Sequence, residues 1–474
     1  MSYIDYSREP KSDIAFVDMK SFYASVECVE RGLDPLTTSL CVMSRADNSN
    51  GLILASSPTF KRIFGKSNVG RSYDLPFDIQ TRRFNYHVAK REGWDVTPAL
   101  VKYIEAWARH TYVVPPRMDM YIEKNIAIQH IFQEFASPKD ILAYSIDEGF
   151  LDLTSSLNYF VKDKEQSNRE KLDAVAKRIQ YRIWKETKII STVGLSNANP
   201  LLAKLALDNE AKHTQTMLAN WSYEDVPTKV WNIKRMTDFW GIGSRTEKRL
   251  LAMGITSIKQ LANSNPDLLK KEFGVIGLQL WFHANGVDES NIHHPYRPRS
   301  TGIGNSQILP RDYLFQSEIE LVLSEMAEHV AKRLRARKKK TTVIAIHVSF
   351  SKGQDIKSIN SQQKVDPTQS TKKVINTVLS LFRKHYYGGA VRQIGVRCDG
   401  LVDDHIEVIN LFDDFETLRK ESQLEKTIDL IQNRYGIMSL QKATSLLQSS
   451  RIAERSQLIG GHSAQIKERK PAHD

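Results

Sequence analysis

The sequence predicts an α+β fold divided into several domains, and three observations carry that expectation. Short apolar runs bounded by turn residues, such as Ile14-Ala15-Phe16-Val17 and Phe150-Leu151-Asp152-Leu153, alternate with long stretches of helical period, such as residues 171–187. The length of 474 residues is enough for about three or four domains. A hydrophobic content of 41% supplies packed cores without covalent cross-links.

Composition narrows the function. Lys and Arg number 67 against 55 Asp and Glu, a net charge of +12 that favours a polyanionic partner. The three cysteines, Cys28, Cys41 and Cys398, show no Cys-x-x-Cys spacing. That argues against a disulfide framework or a zinc site and for a reducing compartment. No apolar run approaches bilayer length, and residues 1–6 hold no apolar leader core. The expectation is a cytoplasmic protein with no membrane partner.

In chain order, the first strand runs over residues 14–17 and ends in Asp18. A helix over 22–31 follows and stops at Gly32. Residues 40–43 and 52–55 pair as strands across the polar turn 47–51. Pro58 starts a short helix that stops at Gly65. Arg62 on it can aim a planar guanidinium at phosphate oxygens. A longer helix over 120–135 carries Ile122, Ile126, Ile131 and Phe135 as its apolar stripe.

Asp147 and Glu148 come next, between the apolar runs 141–144 and 150–153. This reads as a hairpin with both acids at the bend, where they reach one cavity. With Asp18 they make three carboxylates from two strand ends, a donor set suited to a pair of hard divalent cations such as Mg²⁺. The helix over 171–187 has Leu172, Val175, Ile179 and Ile183 on one stripe. A strand over 192–196 follows, then a helix opened by Asn199 and Pro200. Lys212 falls near its end, within reach of a triphosphate, while Lys204 packs or meets backbone. Strand, insertion, helix, strand-turn-strand, helix, strand is the order of a polymerase or cyclase palm.

Beyond it, Gly241-Ile242-Gly243-Ser244-Arg245 forms a turn between two short helices, the spacing of a helix-hairpin-helix. The glycines admit a phosphate, and the next helix offers it free N–H groups, which holds DNA without reading sequence. A helical stretch over 268–285 is broken at Gly274 and Gly277. Residues 287–305 are turn-rich, with His293 and His294 as loop residues. A small α+β domain follows: an extended piece at 301–311, helix 316–337, strand 341–349, a polar loop, helix 372–386 and strand 391–401. It has four strands if the loop holds one. The run Arg333, Arg335, Arg337, Lys338, Lys339, Lys340 is the strongest basic cluster and suits a DNA backbone. Val408-Ile409-Asn410-Leu411-Phe412 is an apolar peptide flanked by acids, and the tail 451–474 reads as partly disordered.

Together these residues resemble the Y-family, or lesion-bypass, DNA polymerases, in the UmuC-like (ImpB/MucB/SamB) branch. The resemblance spans roughly residues 12–415. It rests on Val17-Asp18-Met19-Lys20-Ser21-Phe22-Tyr23-Ala24-Ser25-Val26-Glu27, Ser145-Ile146-Asp147-Glu148-Gly149-Phe150, Val193-Gly194-Leu195-Ser196 with Ala203-Lys204, and Phe239-Trp240-Gly241-Ile242-Gly243. It implies a right hand: a palm (1–22 and 81–220), fingers (23–80), a thumb with the helix-hairpin-helix (221–296), a linker (297–305), a little-finger domain (306–415), and a C-terminal helical segment with a flexible tail (416–474). It also implies low-fidelity, template-directed translesion synthesis in the DNA damage response, with primer-template DNA and dNTPs as partners.

By motif match, Asp18, Asp147 and Glu148 are catalytic and hold two Mg²⁺ with the Met19 carbonyl. Phe22, Tyr23, Thr59, Arg62 and Lys212 line the dNTP, with Tyr23 as the steric gate against a 2′-OH. Gly241, Gly243, Arg245 and the basic run meet DNA, and Ile409, Leu411 and Phe412 bind a sliding clamp. UmuC-like relatives also work with a UmuD-like accessory protein and a recombinase filament. The sequence departs from the family at Thr59, where Tyr is usual, at Gly149, where Ala is commoner, at Lys20, where some branches carry an acid, and at Val408, where clamp peptides begin with Gln. Two other readings compete. A non-catalytic or partner-dependent DNA-binding relative is one; the first of these predicts loss of an acid, and all three are present. A nucleotidyl cyclase on a palm would leave the 236–255 hairpin and the basic third domain without a purpose.

Overall fold

The computed structural model describes residues 4–44, 51–65, 70–294, 301–405 and 414–464. They fall into two compact units, centred on Met1–Pro295 and Tyr296–His462.

At the centre of the first unit is β1 (Ile14–Met19), whose residues Ile14, Ala15, Phe16 and Val17 are at most 1% exposed. Helix α1 (Phe22–Val29) leads to β2 (Leu40–Met43), β3 (Ile53–Ser56) and α2 (Pro58–Phe64). Ser57 caps α2 by accepting from the Phe60 N–H, and Gly65 ends it in the left-handed region. After α3 (Tyr86–Glu92) and α4 (Pro98–Arg109), β4 (Tyr112–Val114) completes a small sheet in the order β3-β2-β4, packed around Phe60, Phe77 and Trp107. Then come α5 (Met118–Phe132), β5 (Ile141–Ala143), β6 (Glu148–Asp152), α6 (Leu157–Phe160), α7 (Asn168–Thr187), β7 (Ser191–Ser196), α8 (Pro200–Asn209) and β8 (Leu218–Asn220). The main sheet has the order β5-β6-β1-β7-β8, with β1 antiparallel to both neighbours and β8 parallel to β7.

Register distinguishes the two faces of this sheet. Phe16 lies opposite Phe150 and Gly194, and Ile14, Phe16 and Phe150 pack with Ala203 and Leu207 of α8. Glycine is required at 194, because a Cβ there would stand 2.1 Å from the Ala203 carbonyl oxygen. Val17 lies opposite Gly149, where a Cβ would stand 2.9 Å from the Phe132 ring of α5. Helix α8 therefore covers the even-numbered face of β1, while α5 and its neighbour α7 cover the odd-numbered face. Asp18 emerges on the α8 side.

Of the expected stripe on α5, Ile131 and the following Phe135 are buried and the first half is not. Ile122 and Ile126 are 37% and 50% exposed, and Met118, Tyr121, Ile128 and Phe132 face inward with Ile131. The cause is polar. Glu27 is fully buried and draws in Arg117 and Tyr121 as partners, which turns the helix by their positions. Helices α9 (Ser244–Ala252), α10 (Ile258–Ala262), α11 (Pro266–Phe273) and α12 (Val275–Ala284) then form a helical cluster around Phe239, Ile242, Leu250, Leu261 and Leu280.

The second unit contains β9 (Ile303–Tyr313), α13 (Gln316–Ala336), β10 (Lys339–Phe350), β11 (Ile359–Thr368), α14 (Thr371–His385) and β12 (Val391–Asp399). Its sheet runs β11-β10-β12-β9, all antiparallel. The polar loop does hold a strand, β11. It lies at the sheet edge, where its Pro367 interrupts no ladder on the open side. Val322, Met326 and Val330 of α13 and Val378 and Phe382 of α14 pack on Ile344, Val348 and Ile394 of the sheet.

Helices α15 (Phe415–Tyr435) and α16 (Ile452–Ser456) follow. The expected disorder from residue 451 is not what the described part of the tail shows. Glu325 on α13 is 8% exposed; it accepts from Ser450 Oγ at 2.5 Å and from the Arg451 N–H at 3.1 Å, and Arg451 is itself 5% exposed. A buried carboxylate that must be satisfied anchors a segment of low apolar content. Residues 465–474 lie outside the described residues. No helix among the described residues is long and apolar enough to cross a membrane.

Candidate active site

Asp18 is the last residue but one of β1 and Glu148 opens β6, and the antiparallel register places them directly opposite one another. Such pairs point to the same face. Their side chains are 14% and 19% exposed. Burial pushes the Asp18 carboxyl up to about 7; Lys212 pulls against this, while Glu148 and Asp147 push with it.

Asp147 sits in the bend between β5 and β6. Its carbonyl accepts from the Met19 N–H at 2.9 Å, which ties the bend to the end of β1, and the N–H groups of Tyr144 and Ser145 both donate to the Glu148 carbonyl. The Asp147 carboxylate accepts from Ser145 Oγ at 2.8 Å. The fold thus sets Asp18 and Glu148 face to face and turns the Asp147 carboxylate toward its own bend. Among the described residues, no three His, Cys, Asp or Glu side chains are grouped closely enough to hold an ion as they stand.

Cations surround the pair. Lys204 Nζ lies 3.0 Å from Glu148 Oε1, 3.3 Å from Asp208 Oδ2 and 4.4 Å above the Phe16 ring. Lys204 is therefore a charge partner of Glu148 rather than a packing residue. Lys212, in the 3₁₀ turn Ala211–His213 after α8, has Nζ 2.7 Å from Asp208 Oδ1 and 3.5 Å from Asp18 Oδ2.

Lys61 was not anticipated. Its Nζ donates to Ser21 Oγ at 3.3 Å; burial lowers its pKa, and the charge of Asp18 opposes that. Lys20 has the same two influences in the same order, and its Nζ stands 3.8 Å from the Met217 sulfur. Arg62 is exposed, with Nη2 3.4 Å from Thr59 Oγ1. Neighbours on a helix point roughly 100° apart, and it is Lys61 that turns to Ser21 and feels the Asp18 charge, while Arg62 turns to Thr59. The signal was present in Pro58, which fixes where the helix starts. Thr59 is 7% exposed and donates its hydroxyl to the Leu36 carbonyl at 2.6 Å, so the hydroxyl is engaged within the loop.

Tyr23 is half-buried, and its ring stacks on that of Tyr121 with Phe22 beside it at 5.8 Å between centroids. Behind Tyr121, Glu27 also takes Arg117 in two hydrogen bonds of 3.0 and 2.6 Å.

Residues 88–208 match the model of the impB/mucB/samB family, and residues 300–411 match the impB/mucB/samB family C-terminal domain. The putative UV-damage repair protein UvrX of Bacillus subtilis (strain 168) is 36% identical over 461 residues, which cover 97% of this chain and 99% of that protein. The chain belongs to this family, the UmuC-like branch of the Y-family DNA polymerases. DNA polymerase IV 2 of the same organism is 34% identical over 457 residues, 95% of this chain and 98% of that one. Among solved structures, the Y-family DNA polymerase chimera Dbh-Dpo4(243-245)-Dbh has the same fold, with a TM-score of 0.59 at 20% identity over 82% of this chain and 99% of that chain.

The remaining candidate positions of this Y-family member are placed as follows. The Gly241-Ile242-Gly243 turn lies between one turn of 3₁₀ helix, Met236–Asp238, and α9. Gly241 has φ +95, the N-terminus of α9 has no side-chain cap, and Arg245 is exposed. The basic run does not form one patch. Arg335 is 10% exposed and turned inward, with Nε 2.6 Å from Asp429 Oδ2 and Nη1 3.4 Å from Glu425 Oε2. Charged neighbours on α15, far along the chain, claim it. Arg333 donates to the Gly304 carbonyl at 2.8 Å, and Lys339 pairs with Asp403. Arg337 and Lys338 are exposed, and Lys340 is half-buried. Ile409, Leu411 and Phe412 lie outside the described residues.

Proposed function

We propose that this chain is a DNA-directed DNA polymerase that performs low-fidelity, template-directed translesion synthesis, joining a dNTP to a primer 3′-OH. The observation that carries the reading is Asp18 opposite Glu148 in one ladder, with Asp147 in the adjoining bend. The names of the relatives, a putative UV-damage repair protein and a DNA polymerase IV, support it.

The donor set is oxygen only, which suits hard cations. Burial raises the Asp18 carboxyl, with Glu148 and Asp147 adding to the effect, and a bound cation would favour its charged form. Two Mg²⁺ held by Asp18, Asp147, Glu148 and the Met19 carbonyl would supply a lowered pKa at the 3′-OH and charge neutralisation at the leaving pyrophosphate. The chain's own groups do the rest. Lys212 and Lys61 flank Asp18 and meet the triphosphate. Lys204 holds the Glu148 carboxylate in orientation. Tyr23, with Phe22 beside it, closes the floor under the sugar, so that a 2′-OH clashes with it. Arg62 and Thr59 act at most on the outer edge of the nucleotide.

In this reading residues 1–22 and 115–220 are the palm and 23–114 the fingers, since β4 and Trp107 pack with β2 and β3; 221–296 are the thumb, 297–302 a linker, 303–415 the little finger, which β9 opens, and 416–474 a C-terminal segment. Gly241, Gly243, the N–H groups opening α9, Arg245, Arg337, Lys338 and Lys340 hold the DNA backbone. Ile409, Leu411 and Phe412 bind a sliding clamp, a UmuD-like protein and a recombinase filament are further partners, and the protein acts in the cytoplasm.

The test is primer extension by the purified chain on undamaged and abasic templates with Mg²⁺ and four dNTPs, beside an Asp18→Ala/Glu148→Ala control. Extension that the control lacks is expected. Equal extension by both would discard the site. No extension by the intact chain, restored by clamp or recombinase, would make it a partner-dependent subunit.

A further inference from the structure

The outer face of α7 and its C-cap carry six exposed residues that nucleotide transfer does not use: Lys177, Arg178, Tyr181, Trp184, Lys185 and Lys188. Their spacing of three and four residues puts them on one stripe. Tyr181 is 56% exposed and Trp184 47%, with ring centroids 6.4 Å apart. Each ring has its own lysine: Lys185 Nζ lies 6.0 Å from the Tyr181 centroid and Lys188 Nζ 4.5 Å from that of Trp184. Among the described residues, no carboxylate pairs with any of the four cations; the nearby Glu134 is taken by Arg182 at 2.8 and 2.6 Å. Beside the stripe, Phe135 and Phe160 help wall a cavity of about 480 Å³ that Tyr181, Lys177 and Arg178 border.

This surface is remote from the catalytic carboxylates. Helix α7 packs with α5 on the odd-numbered face of β1, and Asp18 emerges on the other. A merely solvated helix face needs no exposed tryptophan and tyrosine, and it ordinarily mixes charges of both signs.

We propose that the outer face of α7 is a second site, one that binds single-stranded DNA. Rings offer flat surfaces on which unpaired bases stack, and the flanking ammonium groups neutralise the phosphates between them. Ring and cation alternate along the stripe as base and phosphate alternate along a strand. The stripe is about 16 Å long at the helical rise, which suits a few nucleotides. Duplex DNA hides its base faces and gives the rings nothing to stack on. The absence of fixed polar readers makes the site tolerant of sequence. An acidic segment of a protein is the rival occupant.

The experiment uses the full chain with a blunt primer-template hairpin filling the catalytic cleft. A separate oligo(dT) bearing 5-iodouracil is added, irradiated, and the cross-links are mapped. Cross-links at Tyr181 or Trp184 are expected. Tyr181→Ala/Trp184→Ala should weaken oligo(dT) binding about tenfold, the scale of losing one or two stacked bases. Trp184→Phe should keep most of the affinity, and Lys177→Glu/Lys185→Glu should flatten the salt dependence. Extension at a one-nucleotide overhang should be unchanged in every variant, so this site and the polymerase reading fail separately. Cross-links confined to other faces, or wild-type binding by the double alanine variant, would overturn the proposal. So would poly-L-glutamate displacing the oligonucleotide while Trp184→Ala changes nothing.

Discussion

Tyr121 stacks on Tyr23, with centroids 4.4 Å apart and planes 15° from parallel, while its hydroxyl donates to the buried Glu27 carboxylate at 2.7 Å. Tyr23, the proposed gate, is thus braced by a ring that a buried carboxylate holds in place. Tyr121→Leu should loosen Tyr23 at a cost of about 1 kcal/mol of stacking and raise ribonucleotide incorporation several-fold. Tyr23→Ala should raise it further. The ratio of rNTP to dNTP incorporation measures both, and an unchanged ratio in Tyr23→Ala would reject the gate.

Lys61 and Arg62 are neighbours with opposite outlooks. Removing a charge-assisted contact costs about 1.5–3 kcal/mol, so Lys61→Ala should raise the KM for dNTP about tenfold or more. Arg62→Ala should change it by less than about threefold. Steady-state kinetics of the two variants decide between them, and the reverse order would return the triphosphate contact to Arg62.

Asp147→Ala should abolish extension and leave salt-sensitive DNA binding intact, because the change removes a ligand and not the basic surface. Lys204→Met should lower kcat with little effect on the KM for dNTP, since Glu148 keeps its place in the ladder but loses its cation. Gel shift and single-turnover extension separate binding from chemistry.

His329 on α13 is half-buried, and its pKa is lowered to about 4 by burial, with Arg455, Arg333 and Lys332 adding to the effect. Its folded pKa lies below the unfolded value. As pH falls through the usual histidine range the unfolded chain takes up the proton first, so stability present above about pH 6.5 drains away toward pH 4. The loss should be on the order of 2–3 kcal/mol. Urea unfolding at pH 7.5, 6 and 5 should show it in the second unit, and His329→Gln should flatten the trend.

Gly149→Ala should destabilise by about 1–3 kcal/mol, because the added carbon meets the Phe132 ring. Phe132→Leu in the same chain should recover part of that loss. Thermal melts of the four members of the cycle give the coupling, and strict additivity would remove Phe132 as the cause.

Much of the fold was legible in local pattern. The strand ending in Asp18, the acidic hairpin, the break at Gly274 and the length of α13 all follow from periodicity and from turn residues at fixed positions. What stayed hidden depends on partners distant in sequence. Nothing near Tyr121 announces that it will answer to Glu27, so Ile122 and Ile126 point outward against expectation, while Ile131 and Phe135 are buried in line with it. Arg335 looks like its basic neighbours until Asp429 and Glu425 arrive from α15. Lys204 and Lys61 carry their meaning only once Glu148 and Ser21 are beside them. In each case a polar partner distant in sequence, invisible to a hydrophobic pattern, decided the outcome.

The pairing of Arg335 and Glu325 with residues 425–455 has a consequence for synthesis. A nascent chain emerging in order completes α13 more than a hundred residues' reach before its last partner, Arg455, leaves the ribosome. Until residues 425–429 emerge the Arg335 guanidinium lacks its carboxylates, and until residues 450–455 emerge the Glu325 carboxylate lacks its donors. The first unit has its whole main sheet available by Asn220. Maturation of the second waits for residues 425–455, and a chain truncated before them should have a sound first unit and an open, protease-sensitive second one.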